Sequence, residues 1–135
     1  ARAHSFRAHS LSSVMWAMGK LNLQPSKQFL NTWYEQFDRR VVQFNSQDLS
    51  NCIWAFGSLE LAPSKQFLES WYNRFSSVEL KGSGQALSNA LWAFAKLELM
   101  PRDSFLDVWY SAAETEMQHA SAQQLANTLW AFAKL

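Results

Sequence analysis

Between Leu87 and Leu97 the apolar residues Leu87, Ala90, Leu91, Phe94 and Leu97 fall at helical spacing, interleaved with the polar Ser88, Asn89 and Lys96. Strong helix formers fill the remaining positions, so the pattern predicts an amphipathic α-helix. Pro101 interrupts it, and Arg102, Asp103 and Ser104 behind it supply candidate N-caps, as Ser26 and Ser64 do behind Pro25 and Pro63. Helical spacing then resumes with Phe105, Val108, Trp109 and Ala112, matched by Phe29, Trp33 and Phe37 and by Phe67, Trp71 and Phe75. A looser stretch such as VELKGSGQ, residues 78–85, returns the chain to the next apolar helix. The predicted element is a helical hairpin.

The hairpin repeats. Trp16, Trp54, Trp92 and Trp130 share a period of 38 residues, as do Trp33, Trp71 and Trp109, the three prolines and the three tyrosines Tyr34, Tyr72 and Tyr110. Identical strings recur too: PSKQFL at 25–30 and 63–68, and LWAFAKL at 91–97 and 129–135. Such self-similarity marks a tandem array. The units run over 11–48, 49–86 and 87–124, with 125–135 as the first helix of a truncated fourth. Residues 1–10 read as the end of a preceding repeat, so both ends are expected to be cuts through a longer array.

A single hairpin cannot bury its apolar face, and stacking of neighbours gives one continuous all-α solenoid of helix-turn-helix repeats, expected as a right-handed superhelix. Small residues at Gly19, Gly57, Ala95 and Ala133 recur at one position of the first helix and predict close approach of its neighbour. On a helical wheel Ser88, Asn89, Trp92 and Lys96 lie opposite the apolar arc. Large aromatics favour cores, so Trp16, Trp54, Trp92 and Trp130 are expected to pack between units. The Asn51, Asn89 and Asn127 position suits inter-unit hydrogen bonding or a base edge, and Lys20, Lys96 and Lys134 suit solvent or a phosphate.

Composition narrows the function classes. A chain of 135 residues, 48% hydrophobic and 17% charged, can bury a core. Its net charge of +1 excludes a uniformly basic nucleic-acid binder, so such a function must rest on where the charges lie. First helices carry lysine until Glu60 and Glu98, whereas second helices carry Glu35, Asp38, Glu69, Asp107, Glu114 and Glu116 against Arg39, Arg40 and Arg74. The single Cys52 forms no internal disulfide, and no apolar run approaches the roughly 20 residues of a membrane span. His4, His9 and His119 lack metal-ligand spacing, and Cys52 shares its slot with Val14, Ala90 and Thr128, a packing position. Gly82, Ser83 and Gly84 lack the context of a phosphate loop. No enzyme activity, metal, cofactor or small-molecule substrate is expected.

The strings LSNALWAFAKL, LANTLWAFAKL and LSNCIWAFGSL, the 38-residue period, and the proline followed by FLxxWY make the whole chain resemble the octotricopeptide repeat family. The resemblance implies an α-solenoid RNA-binding protein of organelles, a family abundant in green algae. It acts on mitochondrial or chloroplast transcripts in stabilisation, processing or translation, or as a structural part of a divergent organelle ribosome, beside ribosomal proteins. It further implies that single-stranded or ribosomal RNA runs along the row of first helices, each unit addressing about one nucleotide. Carried over position by position, the RNA-binding residues are Ser13, Val14 and Lys20; Asn51, Cys52 and Ser58; Asn89, Ala90 and Lys96; and Asn127, Thr128 and Lys134. The slot of Val14, Cys52, Ala90 and Thr128 is where base preference would vary. The rival reading is a protein–protein scaffold without RNA contact, since helical-hairpin arrays bind proteins as readily.

Overall fold

The computed structural model describes the backbone of residues 2–135 and the side chains of residues 8–135; Ala1 and the side chain of His4 lie outside it. Seven α-helices follow one another: α1 (Arg2–Leu21), α2 (Lys27–Arg40), α3 (Ser46–Leu59), α4 (Lys65–Phe75), α5 (Gly84–Lys96), α6 (Asp103–Glu116) and α7 (Ala122–Lys134). Short 3-10 turns follow α2 and α6, and no strand occurs among the described residues. The first helices α1, α3, α5 and α7 pack side by side in chain order, and α2, α4 and α6 form a second row. The fold is an all-α array of stacked hairpins.

Three contacts recur with the period and explain the in-register aromatics. The indole N–H groups of Trp33, Trp71 and Trp109 donate to the carbonyls of Leu11, Leu49 and Leu87 at 3.0, 2.8 and 2.8 Å, tying each second helix to the first helix of its unit. Tyr34, Tyr72 and Tyr110 stack on Phe56, Phe94 and Phe132 of the next unit, at interplanar angles of 3°, 6° and 5°. Buried between the rows, Phe37, Phe67, Phe75 and Phe105 complete a continuous core. Close approach of the first helices rests on the small residues: a Cβ on Gly57 would lie 3.0 Å from Ala93 Cα, and one on Gly19 would lie 3.1 Å from Ala55 Cα.

The first helices end in a left-handed residue, Asn22, Glu60 or Glu98, at φ 56°, 52° and 56°. This reversal lets the N–H of Leu23, Leu61 and Leu99 reach back to the carbonyls of Met18, Phe56 and Phe94, closing the helix end before the proline. Ser26 and Ser64 cap α2 and α4 through the N–H of Phe29 and Phe67, as their place behind proline predicts. The third unit differs. Arg102 holds the cap position of α6 without a side-chain cap bond, and its guanidinium pairs with Glu69 at 2.6 Å and lies over the Tyr72 ring.

The sequence pattern places the starts of the first helices late. α3, α5 and α7 begin three residues ahead of Leu49, Leu87 and Leu125. In α3 and α7 the entry is a capping box, Asn45 with Asp48 and Ser121 with Gln124. α1 runs unbroken from Arg2 through residues 6–10, with no break at residue 11. α4 stops about a turn short of α2 and α6, and at its end the Ser76 and Ser77 hydroxyls donate to the Tyr72 and Arg74 carbonyls, which also accept the backbone N–H groups of Ser76 and Val78.

Candidate nucleic-acid interface

A first helix has a neighbour on each side and a partner behind, so only a narrow strip of it stays open. On α5 that strip is Gln85, Asn89, Trp92 and Lys96, which fall within about 60° at 100° per residue. Ser88, expected on the same side, is buried and bonds the Gln85 carbonyl instead. Side by side, the strips form four cross-rows: His9, Gln47, Gln85 and Gln123; Ser13, Asn51, Asn89 and Asn127; Trp16, Trp54, Trp92 and Trp130; and Lys20, Ser58, Lys96 and Lys134. The first of these rows escaped the sequence analysis, although it keeps the same 38-residue register.

The tryptophans pack between units as expected, and Trp54 and Trp92 rest against the core, yet each also reaches the open strip. They contact one another, with ring centroids 6.5, 6.1 and 6.4 Å apart from Trp16 to Trp130, as a ladder along the open strip. Trp16 and Trp130 are 42% exposed, and Trp54 and Trp92 are half-buried. Lysine edges the ladder: Lys20 Nζ lies 5.6 Å from the Trp16 ring and 6.0 Å from Trp54, and Lys96 Nζ lies 6.0 Å from Trp92. Ser58 takes the lysine place in the second unit and donates to the Gly19 carbonyl at 3.2 Å.

The amide rows are linked by i, i+4 bonds from Gln85 to Asn89 at 2.9 Å and from Gln123 to Asn127 at 3.0 Å, and Gln124 bonds Gln85 across the units. Asn51 and Asn89 share a polar cleft of about 360 Å³ between the N-terminal parts of α3 and α5, with Gln47, Gln85, Ser46 and Ser83. The carboxamide oxygens of Asn89 and Asn127 accept from these glutamines, which leaves their amide N–H groups as the donors for a base edge.

The variable slot is corrected. Cys52 and Ala90 have no exposed surface, and Thr128, 8% exposed, bonds the Gln124 carbonyl at 2.8 Å. These side chains point into the helix interfaces, away from the strip, so they cannot read a base without repacking the array. Val14 is 40% exposed. Burial, and then the charge of Asp48, push the Cys52 thiol well above its ordinary pKa, which leaves it a packed neutral group. The positions gathered on the open strip are therefore Ser13, Asn51, Asn89 and Asn127 with Lys20, Ser58, Lys96 and Lys134.

One constellation resembles a hydrolytic triad. Ser13 Oγ lies 3.4 Å from His9 Nε2, and His9 Nδ1 lies 3.5 Å from Asp48 Oδ1. Both contacts are long, and the backbone N–H groups around Ser13 sit inside α1, so none is free to stabilise an oxyanion. His9 with Ser13 is the first-unit version of the Gln–Asn rung. Among the described residues no group of three or more His, Cys, Asp or Glu side chains is placed to hold a metal ion, and no helix is long and apolar enough to cross a membrane. A scan against protein-family models and a search of curated proteins give no match to this chain.

Proposed function

We propose that this chain binds single-stranded or ribosomal RNA along the strip of its first helices, in support of organelle gene expression. The observation that carries this reading is the tryptophan ladder, edged on one side by Lys20, Lys96 and Lys134 and on the other by the Ser13, Asn51, Asn89 and Asn127 row. Aromatic faces order unstacked bases, carboxamides bond their edges and lysines neutralise phosphates; together these are the elements of single-strand recognition. Placement in a mitochondrion or chloroplast, and service on a transcript or in a ribosome, rest on the octotricopeptide resemblance.

Fluorescence anisotropy with a labelled single-stranded RNA tests the reading. Changing Lys20, Lys96 and Lys134 to Glu together is expected to weaken binding at least tenfold and to flatten its salt dependence by about 0.7 per lost phosphate contact. Trp92→Ala is expected to keep helical circular dichroism while lowering affinity. Affinity unchanged in both variants would remove the strip from consideration, and absence of RNA binding by the wild-type chain would favour the protein scaffold.

A further inference from the structure

The second row of helices carries a crevice that the repeat itself helps to interpret. After the short α4, residues 79–81 and α6 line a largely apolar, open crevice of about 600 Å³, floored by Leu80, Val108 and Ala112. Glu79, Asp107 and Glu116 stand around it, with Lys81 the one cation in its lining. Glu79 accepts the Lys81 backbone N–H at 3.0 Å, which holds its carboxylate at the mouth.

One period earlier, the same place is filled. The counterpart of Ala112 is Arg74, whose side chain crosses from α4 to the preceding connection and donates from Nε to the Phe44 carbonyl at 2.9 Å. The counterpart of Phe44 is Gly82. In the third unit, then, the fold keeps the helix and the connection but has Ala where the arginine stood, and three carboxylates line the gap against one lysine. An aliphatic arm with a guanidinium tip fits both the apolar floor and the charge of the rim.

We infer that this crevice is a docking site for an arginine side chain presented by a basic segment of a partner protein, occupying in the third unit the place that Arg74 fills in the second. The crevice shares Glu79 and Lys81 with the polar cleft beside Asn51 and Asn89, but its floor is formed by Leu80 of the α4–α5 connection and by Val108 and Ala112 of α6, away from the tryptophan and lysine rows.

The experiment is an NMR titration of the 135-residue chain with the peptide Gly-Ser-Arg-Ser-Gly and with the same peptide carrying neutral citrulline for arginine. The arginine peptide is expected to shift the backbone amides of Leu80, Val108 and Ala112, and the citrulline peptide to leave them in place. Ala112→Arg is expected to abolish the shifts by filling the crevice from within. The pair Asp107→Asn and Glu116→Gln, both on the surface of α6, is expected to weaken binding about tenfold and remains informative should Ala112→Arg fail to fold. Unmoved amides with the arginine peptide, equal movement with citrulline, or full affinity in the carboxylate pair would overturn the assignment.

Discussion

Gly57 meets Ala93 where two helices touch at the backbone, and the geometry decides the sign of a one-carbon change there. Alanine favours a helix over glycine by about 1 kcal/mol, whereas forcing a carbon within 3.0 Å of another helix's Cα costs about 1–3 kcal/mol. Gly57→Ala is therefore expected to lower stability, by up to about 2 kcal/mol in urea unfolding. Cys52 gives a second test through pH. Its thiol is raised above 9.0 in the folded chain, so below that value both states are protonated and stability is unaffected. Above it the unfolded chain ionises while the folded chain does not, and stability falls by about 1.4 kcal/mol per pH unit from this group. Tyr34 and Tyr72, raised mainly by burial, add to the same alkaline limb above 10.0. Cys52→Ala, which copies Ala90, is expected to flatten the onset of that limb in pH-dependent melting; an unchanged onset would mean that the thiol is solvated.

At the level of the helix, the left-handed Glu60 is a strained end that glycine would relieve. Glu60→Gly is expected to stabilise the chain by about 0.5–1 kcal/mol, read from the urea midpoint. Elements of this kind divide what periodicity reveals from what it hides. The hairpin, its proline break and the Ser26 and Ser64 caps follow from local chemistry and were legible in the chain. The start of α3 at Ser46 lay in the Asn45–Asp48 spacing, a capping box overlooked because the apolar pattern begins only at Leu49. The early end of α4 at Phe75 is not registered by the apolar pattern, which continues alike in all three second helices. For the site, the lysine and asparagine rows were legible as the polar side of a wheel. The wheel alone did not show how much of that side the neighbours cover, so it mistook Ser88 for open surface. The burial of Cys52 and Ala90 likewise needed the stacked helices, since family position, unlike a wheel, carries no direction. The packing of the tryptophans between units was legible from their size and period, but not that the stacked rings keep an edge at the surface.

For the whole molecule, nearest-neighbour stacking predicts a gradient of stability along the array. Amides of α3 and α5, covered on both sides, are expected to exchange with deuterium slowest, and those of α7 fastest among the first helices, since Leu129 there is 70% exposed while its counterparts Ile53 and Leu91 are fully covered. Uniform protection from α3 to α7 would show a single cooperative block in place of a chain of coupled units. The two rows also differ in how they are joined. First helices meet backbone to backbone through Gly19 and Gly57, whereas the second helices touch only through side chains, the Phe37–Phe67 and Phe75–Phe105 rings and the polar bridges from Asp38 to Gln66 and Ser70 and from Arg102 to Glu69. Any change of curvature is therefore expected to fall on the second row, where side chains can shift, before it falls on the backbone contacts of the first. A partner spanning the first helices would then meet a spacing held constant by backbone contact, while one seated against α6 would meet a spacing set by side chains, so that tension on the array is expected to be felt at one face before the other.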